Sequence, residues 1–218
     1  SMAITMDCHP KTIVKTDYVP CLLTTTEERV SLLKKCGIDH VELLSFDHKM
    51  ARMDALTFMR EILRDTLNVS TLVMGYDHRF GHGGGEHEDY IRWGEECGIR
   101  VIIAKKFEQH YASSSEIRRL LTEGNVKDAA KLLNHPYVLT GIVESGHQVG
   151  RTLGFPTANL NIAENKLIPA TGVYAVMTEL GAGIMNIGRR PTLNNGTNLS
   201  IEVHIMNYEG NLYGKELH

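Results

Sequence analysis

The feature that most constrains this chain is a change of period at Asn134-His135-Pro136. Before it, short apolar runs alternate with helical segments. After it, strand-like runs are separated by Gly, Asn and Pro turns, and no long helical period recurs. Alternation of strand and helix calls for crossover connections and a buried parallel sheet. Successive strands with tight turns call for a small antiparallel barrel or sandwich. Two domains are therefore expected, residues 1–134 and residues 135–218.

The elements follow from local chemistry. Ala3 to Met6 reads as a strand. Thr24-Thr25-Thr26-Glu27-Glu28 supplies capping hydroxyls and an acidic first turn for a helix that stops at Gly37. Val41 to Leu44, Ser70 to Met74 and Arg100 to Ala104 read as further strands. Asp54 caps a helix with Leu56, Met59, Ile62, Leu63 and Leu67 at helical spacing. Glu86 to Cys97 forms a helix closed by Gly98. Two short helices, Ser115 to Glu123 and Val126 to Leu133, end the first domain. In the second, Tyr137 to Val143, Val173 to Met177 and Leu199 to Met206 are the clearest strands, and Asn186 to Thr192 reads as a turn carrying two arginines.

Composition narrows the partners. The 218 residues carry a net charge of −3 with the two signs interspersed. No block of like charge suggests nucleic acid or a membrane surface as partner. Cys8, Cys21, Cys36 and Cys97 form no C-x-x-C pair, which fits a reducing cytoplasm. No apolar run approaches the roughly 20 residues that span a bilayer, and no signal peptide is visible.

Four stretches carry chemistry. Gly75-Tyr76-Asp77-His78-Arg79-Phe80-Gly81 and the glycines after it follow a parallel strand, where open α/β sheets bind ligands; the same residues also read as a flexible surface loop. The spacing of His78, His82 and His87 matches no zinc pattern. Ser113-Ser114-Ser115-Glu116-Ile117-Arg118 places hydroxyls, free N–H groups and an arginine at a helix start. That is a phosphate site or simply a cap. His9, between Asp7-Cys8 and Pro10, reads as a turn residue.

The longest signal is Gly146 to Asn159. Its glycines imitate a P-loop, but Arg151 replaces lysine and Pro156 blocks the helix a P-loop requires. A glycine-rich turn between strands can still cradle phosphate through backbone N–H groups. Thr157 and Asn159 fall on one face of an extended segment, where a hydroxyl and an amide oxygen suit Mg²⁺ and phosphate oxygens; a decorated hairpin is the plain alternative. In Ser200-Ile201-Glu202-Val203-His204-Ile205, Glu202 and His204 share a face, either toward solvent or toward a site where Glu202 acts as a base.

Taken in order, these stretches resemble the bacterial bifunctional riboflavin kinase/FMN adenylyltransferase (FAD synthetase) family. Gly75 to Gly81 resembles its flavin-and-nucleotide loop, Ser113 to Arg118 its Ser-Ser-Thr/Ser-x-Ile-Arg signature, and Gly150 to Asn159 the riboflavin kinase signature Gly-Arg-x-Leu-Gly-Phe-Pro-Thr-Ala-Asn. The resemblance implies an α/β Rossmann-like nucleotidyltransferase domain followed by a small antiparallel riboflavin kinase-like β-barrel. It implies ATP, riboflavin and FMN as substrates, FAD as product and Mg²⁺ as cofactor. Gly150, Arg151, Gly154, Thr157 and Asn159 would bind ATP phosphates, Thr157 and Asn159 also Mg²⁺, and Glu202 would be the catalytic base. His9, Gly75, Asp77, Arg79, Phe80, Ser114, Ser115 and Arg118 would bind FMN and ATP for adenylylation. Relative to the family pattern, a first strand with a His-x-Gly-His-like ATP motif is expected before Ala3 and a closing helix after His218. The two domains therefore read as incomplete at the N- and C-terminal ends respectively, and a non-catalytic flavin- or nucleotide-binding fragment is the alternative.

Overall fold

The computed structural model describes residues 1–14, 20–106, 113–144, 156–191 and 197–218. The chain divides into two compact units, Ser1–Pro20 with Leu33–Tyr111, and Cys21–Leu32 with Ala112–His218. This division by packing does not coincide with the expected boundary at 134/135. The two short helices after Ala112 pack with the strand-rich part, as does the segment from Cys21 to Leu32.

In the first unit, strands β1 (Met2–Met6) and β2 (His40–Leu44) pair in parallel, as do β3 (Thr71–Met74) and β4 (Arg100–Ile103). Among the described residues they form two two-stranded sheets. Helix α1 (Pro10–Val14) starts at Pro10, a residue suited to the first helical position because its missing N–H would have no partner there. Helix α2 (Thr26–Lys35), of which the residues to Leu32 belong to the second unit, begins with a reciprocal cap: Glu28 N–H donates to Thr25 Oγ1 (3.2 Å) and Thr25 N–H donates to Glu28 Oε2 (2.9 Å). Helix α3 (His48–Arg52) is capped by Asp47.

Asp54 caps α4 (Ala55–Thr57), its carboxylate accepting from Thr57 N–H and Thr57 Oγ1. Helix α4 then widens into a π-helical segment, Phe58–Thr66, whose end is marked by Leu67 N–H donating to Ile62 C=O (2.9 Å). This widened helix turns Phe58, Met59 and Leu63 into a core shared with Met74, Tyr90, Cys97 and Ile99. Helix α5 (His87–Cys97) closes at Gly98, whose φ of +68° is the left-handed stop expected of a C-terminal glycine.

In the second unit, α6 (Ser114–Thr122) and α7 (Val126–Leu133) bury Ile117, Leu120, Leu121 and Ala129 with Leu167. Six strands follow: β5 (Gly141–Glu144), β6 (Ala158–Ile162), β7 (Gly172–Thr178), β8 (Gly181–Pro191), β9 (Thr197–Ile205) and β10 (Glu216–Leu217). They form one curled antiparallel sheet in the order β10-β5-β6-β9-β8-β7. One face carries a core of Val143, Met185, Ile187, Ile201, Val203, Ile205 and Leu217.

Two expectations are corrected. The strand expected over Tyr137 to Val143 begins only at Gly141, because Tyr137 instead turns its hydroxyl to Leu167 C=O (2.7 Å) and packs beside the helices. The expected turn at Asn186 to Thr192 is strand through Pro191, and Thr192 lies outside the described residues. Its glycine, arginines and proline favour a turn locally, but nine register pairs with β9 and the burial of Ile187 (1% exposed) outweigh that preference.

The segment Cys21–Leu32 is tied to this unit by buried charge. Lys166 and Glu28, 4% and 5% exposed, form an ion pair; Lys166 Nζ also donates to Leu23 C=O (2.7 Å) and lies 4.4 Å from the centre of the Tyr137 ring. The other Glu28 oxygen accepts from Thr140 N–H (3.1 Å). Burial pulls the Lys166 ammonium below the ordinary lysine value, opposed by Glu28. Burial first, and the Glu28 charge second, push the Tyr137 phenol well above its own. No helix among the described residues is long and apolar enough to cross a membrane.

Candidate active site

Directly opposed residues on neighbouring strands share a face of the sheet. Glu144 on β5 faces Asn159 on β6, Asn159 faces Glu202 on β9, and Glu202 faces Asn186 on β8. This makes a transverse polar row across four strands. The residues that alternate with it, Val143, Val203 and Met185, lie in the core, so the row occupies the opposite face. Thr157 sits one residue before the paired part of β6, and its Oγ1 lies 3.4 Å from Glu202 Oε2. Ser200 Oγ donates to Glu202 Oε1 at 3.0 Å. His204 Nδ1 lies 2.9 Å from Pro156 C=O, and Asn161 Nδ2 donates to Glu144 Oε1 at 2.6 Å. Glu202 is half-buried. Thr157, Asn159 and Glu202, separated in sequence, are thus brought together. Gly150, Arg151 and Gly154 lie outside the described residues.

In the first unit the candidate loop hangs from an aromatic cluster. Tyr90 is fully buried and accepts from Phe80 N–H (2.9 Å) while donating to Phe80 C=O (2.7 Å). The Phe80 ring packs 5.3 Å from Phe58 and 4.8 Å from Tyr90, centre to centre. Gly81 (φ +83°) passes so close to α4 that an added Cβ would lie 2.4 Å from Ala55 N, which only glycine permits. This pinning leaves Gly75, Asp77 and Arg79 exposed. Arg79 Nη1 donates to His78 C=O and to His87 Nε2, both at 2.9 Å, and Nη2 reaches Glu86 (3.4 Å). His9, half-buried, receives Lys11 N–H on Nδ1 (3.2 Å) and Thr12 N–H on its carbonyl (2.8 Å), at the start of α1. Beside it, Phe46 N–H and then the Ser45 hydroxyl hold the Asp7 carboxyl below the usual carboxylate range.

Ser114, Ser115 and Arg118 belong to the second unit. Ser113, not its neighbours, caps α6 by accepting Glu116 N–H (3.1 Å), which leaves Ser114 and Ser115 exposed in the first turn. Arg118 Nε donates to Cys21 C=O (2.9 Å), so the arginine is braced by the Cys21–Leu32 segment. Sequence reasoning did not single out Ser200 or Asn186. The period-2 face shared with Glu202 was signal enough for Ser200. For Asn186 no signal existed once β8 was read as a turn.

A helix-rich unit with parallel strands and an antiparallel sheet on which Thr157, Asn159 and Glu202 meet define a two-part class of protein. The comparisons specify it. The family model for FAD synthetase matches residues 1–117 and that for riboflavin kinase residues 133–218. The bifunctional riboflavin kinase/FMN adenylyltransferase of Escherichia coli K12 is 34% identical over 226 residues, covering 99% of this chain and 71% of the relative. The enzymes of the same name from Listeria monocytogenes and Bacillus subtilis are 31% and 32% identical, covering 98% and 97% of this chain and 70% and 69% of theirs. A crystal structure described as a macrolide-efflux protein from Streptococcus pneumoniae has a TM-score of 0.81 at 29% identity, covering 99% of this chain and 72% of that one. The chain belongs to the bifunctional riboflavin kinase/FMN adenylyltransferase family, a family of transferases.

Proposed function

We propose that the strand-rich unit phosphorylates riboflavin to FMN with ATP, and that FMN is adenylylated to FAD with release of pyrophosphate through the FAD synthetase part. The observation that carries the first half is the Glu202 carboxylate, half-buried, opposite Asn159 and 3.4 Å from the Thr157 hydroxyl. Glu202 takes the proton of the ribityl 5′-hydroxyl as that oxygen bonds to the γ-phosphorus of ATP. The bond from that phosphorus to the β–γ bridging oxygen breaks, and ADP leaves. Thr157 Oγ1 and Asn159 Oδ1 are hard oxygen donors of the kind Mg²⁺ takes. Mg²⁺, when bound, neutralises charge on the transferring phosphoryl group. Gly150, Arg151 and Gly154 hold the ATP phosphates through backbone N–H groups and a guanidinium.

For adenylylation, a phosphate oxygen of FMN attacks the α-phosphorus of ATP and pyrophosphate departs. His9, Gly75, Asp77, Arg79 and Phe80 hold flavin and nucleotide, with Phe80 acting by anchoring its loop. Ser114, Ser115 and Arg118 stabilise the developing charge, as first-turn N–H groups and a guanidinium do for anions. The four cysteines are all unpaired, which supports a reducing, cytoplasmic setting.

The test is FMN formation from riboflavin and Mg²⁺–ATP, with riboflavin, FMN and FAD separated chromatographically. Glu202→Gln should lower kcat by about 10²–10⁴-fold, the contribution of a positioned base. Flavin binding by the wild-type chain with no FMN formed would replace the enzyme reading by a binding one.

A further inference from the structure

We propose that Ser200 and His204, on either side of Glu202 on β9, are positioning residues for phosphoryl transfer; the proposal rests on the kinase reading above. The alternation of β9 places Ser200, Glu202 and His204 on one face, and Ile201, Val203 and Ile205, each 6% exposed or less, lock the other face into the core. The three polar side chains therefore cannot turn inward without a slip of register.

Their hydrogen bonds divide the task. Ser200 Oγ donates to Glu202 Oε1 at 3.0 Å, fixing the carboxylate plane and occupying one oxygen. Oε2 faces Thr157 Oγ1, 3.4 Å away, and is the oxygen assigned to take the substrate proton. His204 acts one step further away. The β6–β9 ladder has its pairs at Asn159↔Glu202 and Ala158↔Val203, and Thr157 lies just past them. Pro156, before Thr157, has no N–H with which to extend the ladder. His204 Nδ1, 2.9 Å from Pro156 C=O, continues the connection by a side chain. A carbonyl only accepts, so Nδ1 carries the hydrogen. His204 thus holds the main chain that aims Thr157 at the phosphates, while Ser200 holds the base that meets the hydroxyl.

Steady-state kinetics on the whole chain separate the two roles. Ser200→Ala should lower kcat for FMN formation about 10–100-fold, the rate equivalent of one hydrogen bond to a charged group, with both KM values within about twofold of wild type. Ser200→Thr, which keeps the donor, should restore most of the rate. His204→Ala should raise KM for Mg²⁺–ATP about tenfold or more while KM for riboflavin stays near its original value. His204→Asn, whose amide can donate to the same carbonyl, should recover it. Wild-type KM and kcat in both alanine variants, with Glu202→Gln inactive, would overturn this proposal and leave the kinase reading standing. A wild-type chain that forms no FMN would remove both. Loss of activity in Ser200→Thr and His204→Asn with unchanged thermal unfolding would also refute it, since the assigned hydrogen bonds are then not what matters.

Discussion

In the strand-rich unit Thr157, Asn159 and Glu202 meet on a ladder whose register is set by buried residues on its other face. In the helix-rich unit Asp77 and Arg79 ride on a loop held at Phe80 by one buried tyrosine and at Gly81 by a close backbone passage. The first arrangement distributes positional control over many weak constraints that fail together. The second concentrates it in a few contacts that can fail singly. The ladder suits the role of base proposed for Glu202, and the pinned loop suits the ligand-holding role proposed for Asp77 and Arg79.

The comparison can be broken most forcefully in the strand-rich unit. Lys166→Met leaves the Glu28 carboxylate buried without its partner and should cost about 3–5 kcal/mol, read as a shift of the denaturant midpoint. The spectroscopic signature of the helix-rich unit should keep its own midpoint. A single shared loss of both would show that the two units are not separate in stability. A smaller effect is expected in the helix-rich unit. Tyr90→Phe removes both hydrogen bonds to Phe80 inside a buried site and should cost about 1–3 kcal/mol. FAD formation should fall with it while FMN formation stays unchanged; an equal fall in both would contradict the division of labour. The smallest effect is on the acid limb of stability. The folded pKa of Asp7 lies below its ordinary value of 3.8, so its contribution is complete above that value and is lost as pH falls through the lower folded one. Asp7→Asn should flatten that part of the stability–pH curve.

Much of this was legible in the sequence because it depends on local rules. Thr25 with Glu28, Asp54 and Gly98 mark helix ends through interactions within a few residues, and each acts there in the structure. The shared face of Thr157 and Asn159 follows from a period of two. What could not be read depends on distance along the chain. Thr157 meets Glu202 from 45 residues away and Lys166 meets Glu28 from 138. Strand β8 was misread because Gly188, Arg189, Arg190 and Pro191 carry turn chemistry, whereas the nine pairs that override it come from β9. The π-helical widening after Thr57, within which Met59 and Leu63 are buried, likewise left no mark in the helical spacing.

The buried Glu28–Lys166 pair bears on how such a protein can be dissected. The riboflavin kinase match starts at residue 133, yet Lys166 and Thr140 both lean on a carboxylate from more than a hundred residues upstream. An excised C-terminal piece would inherit an ammonium in an apolar setting with its counter-ion left behind in the discarded part. Transplanting this β-sheet alone therefore requires either carrying Cys21–Leu32 along as a grafted strap or neutralising position 166.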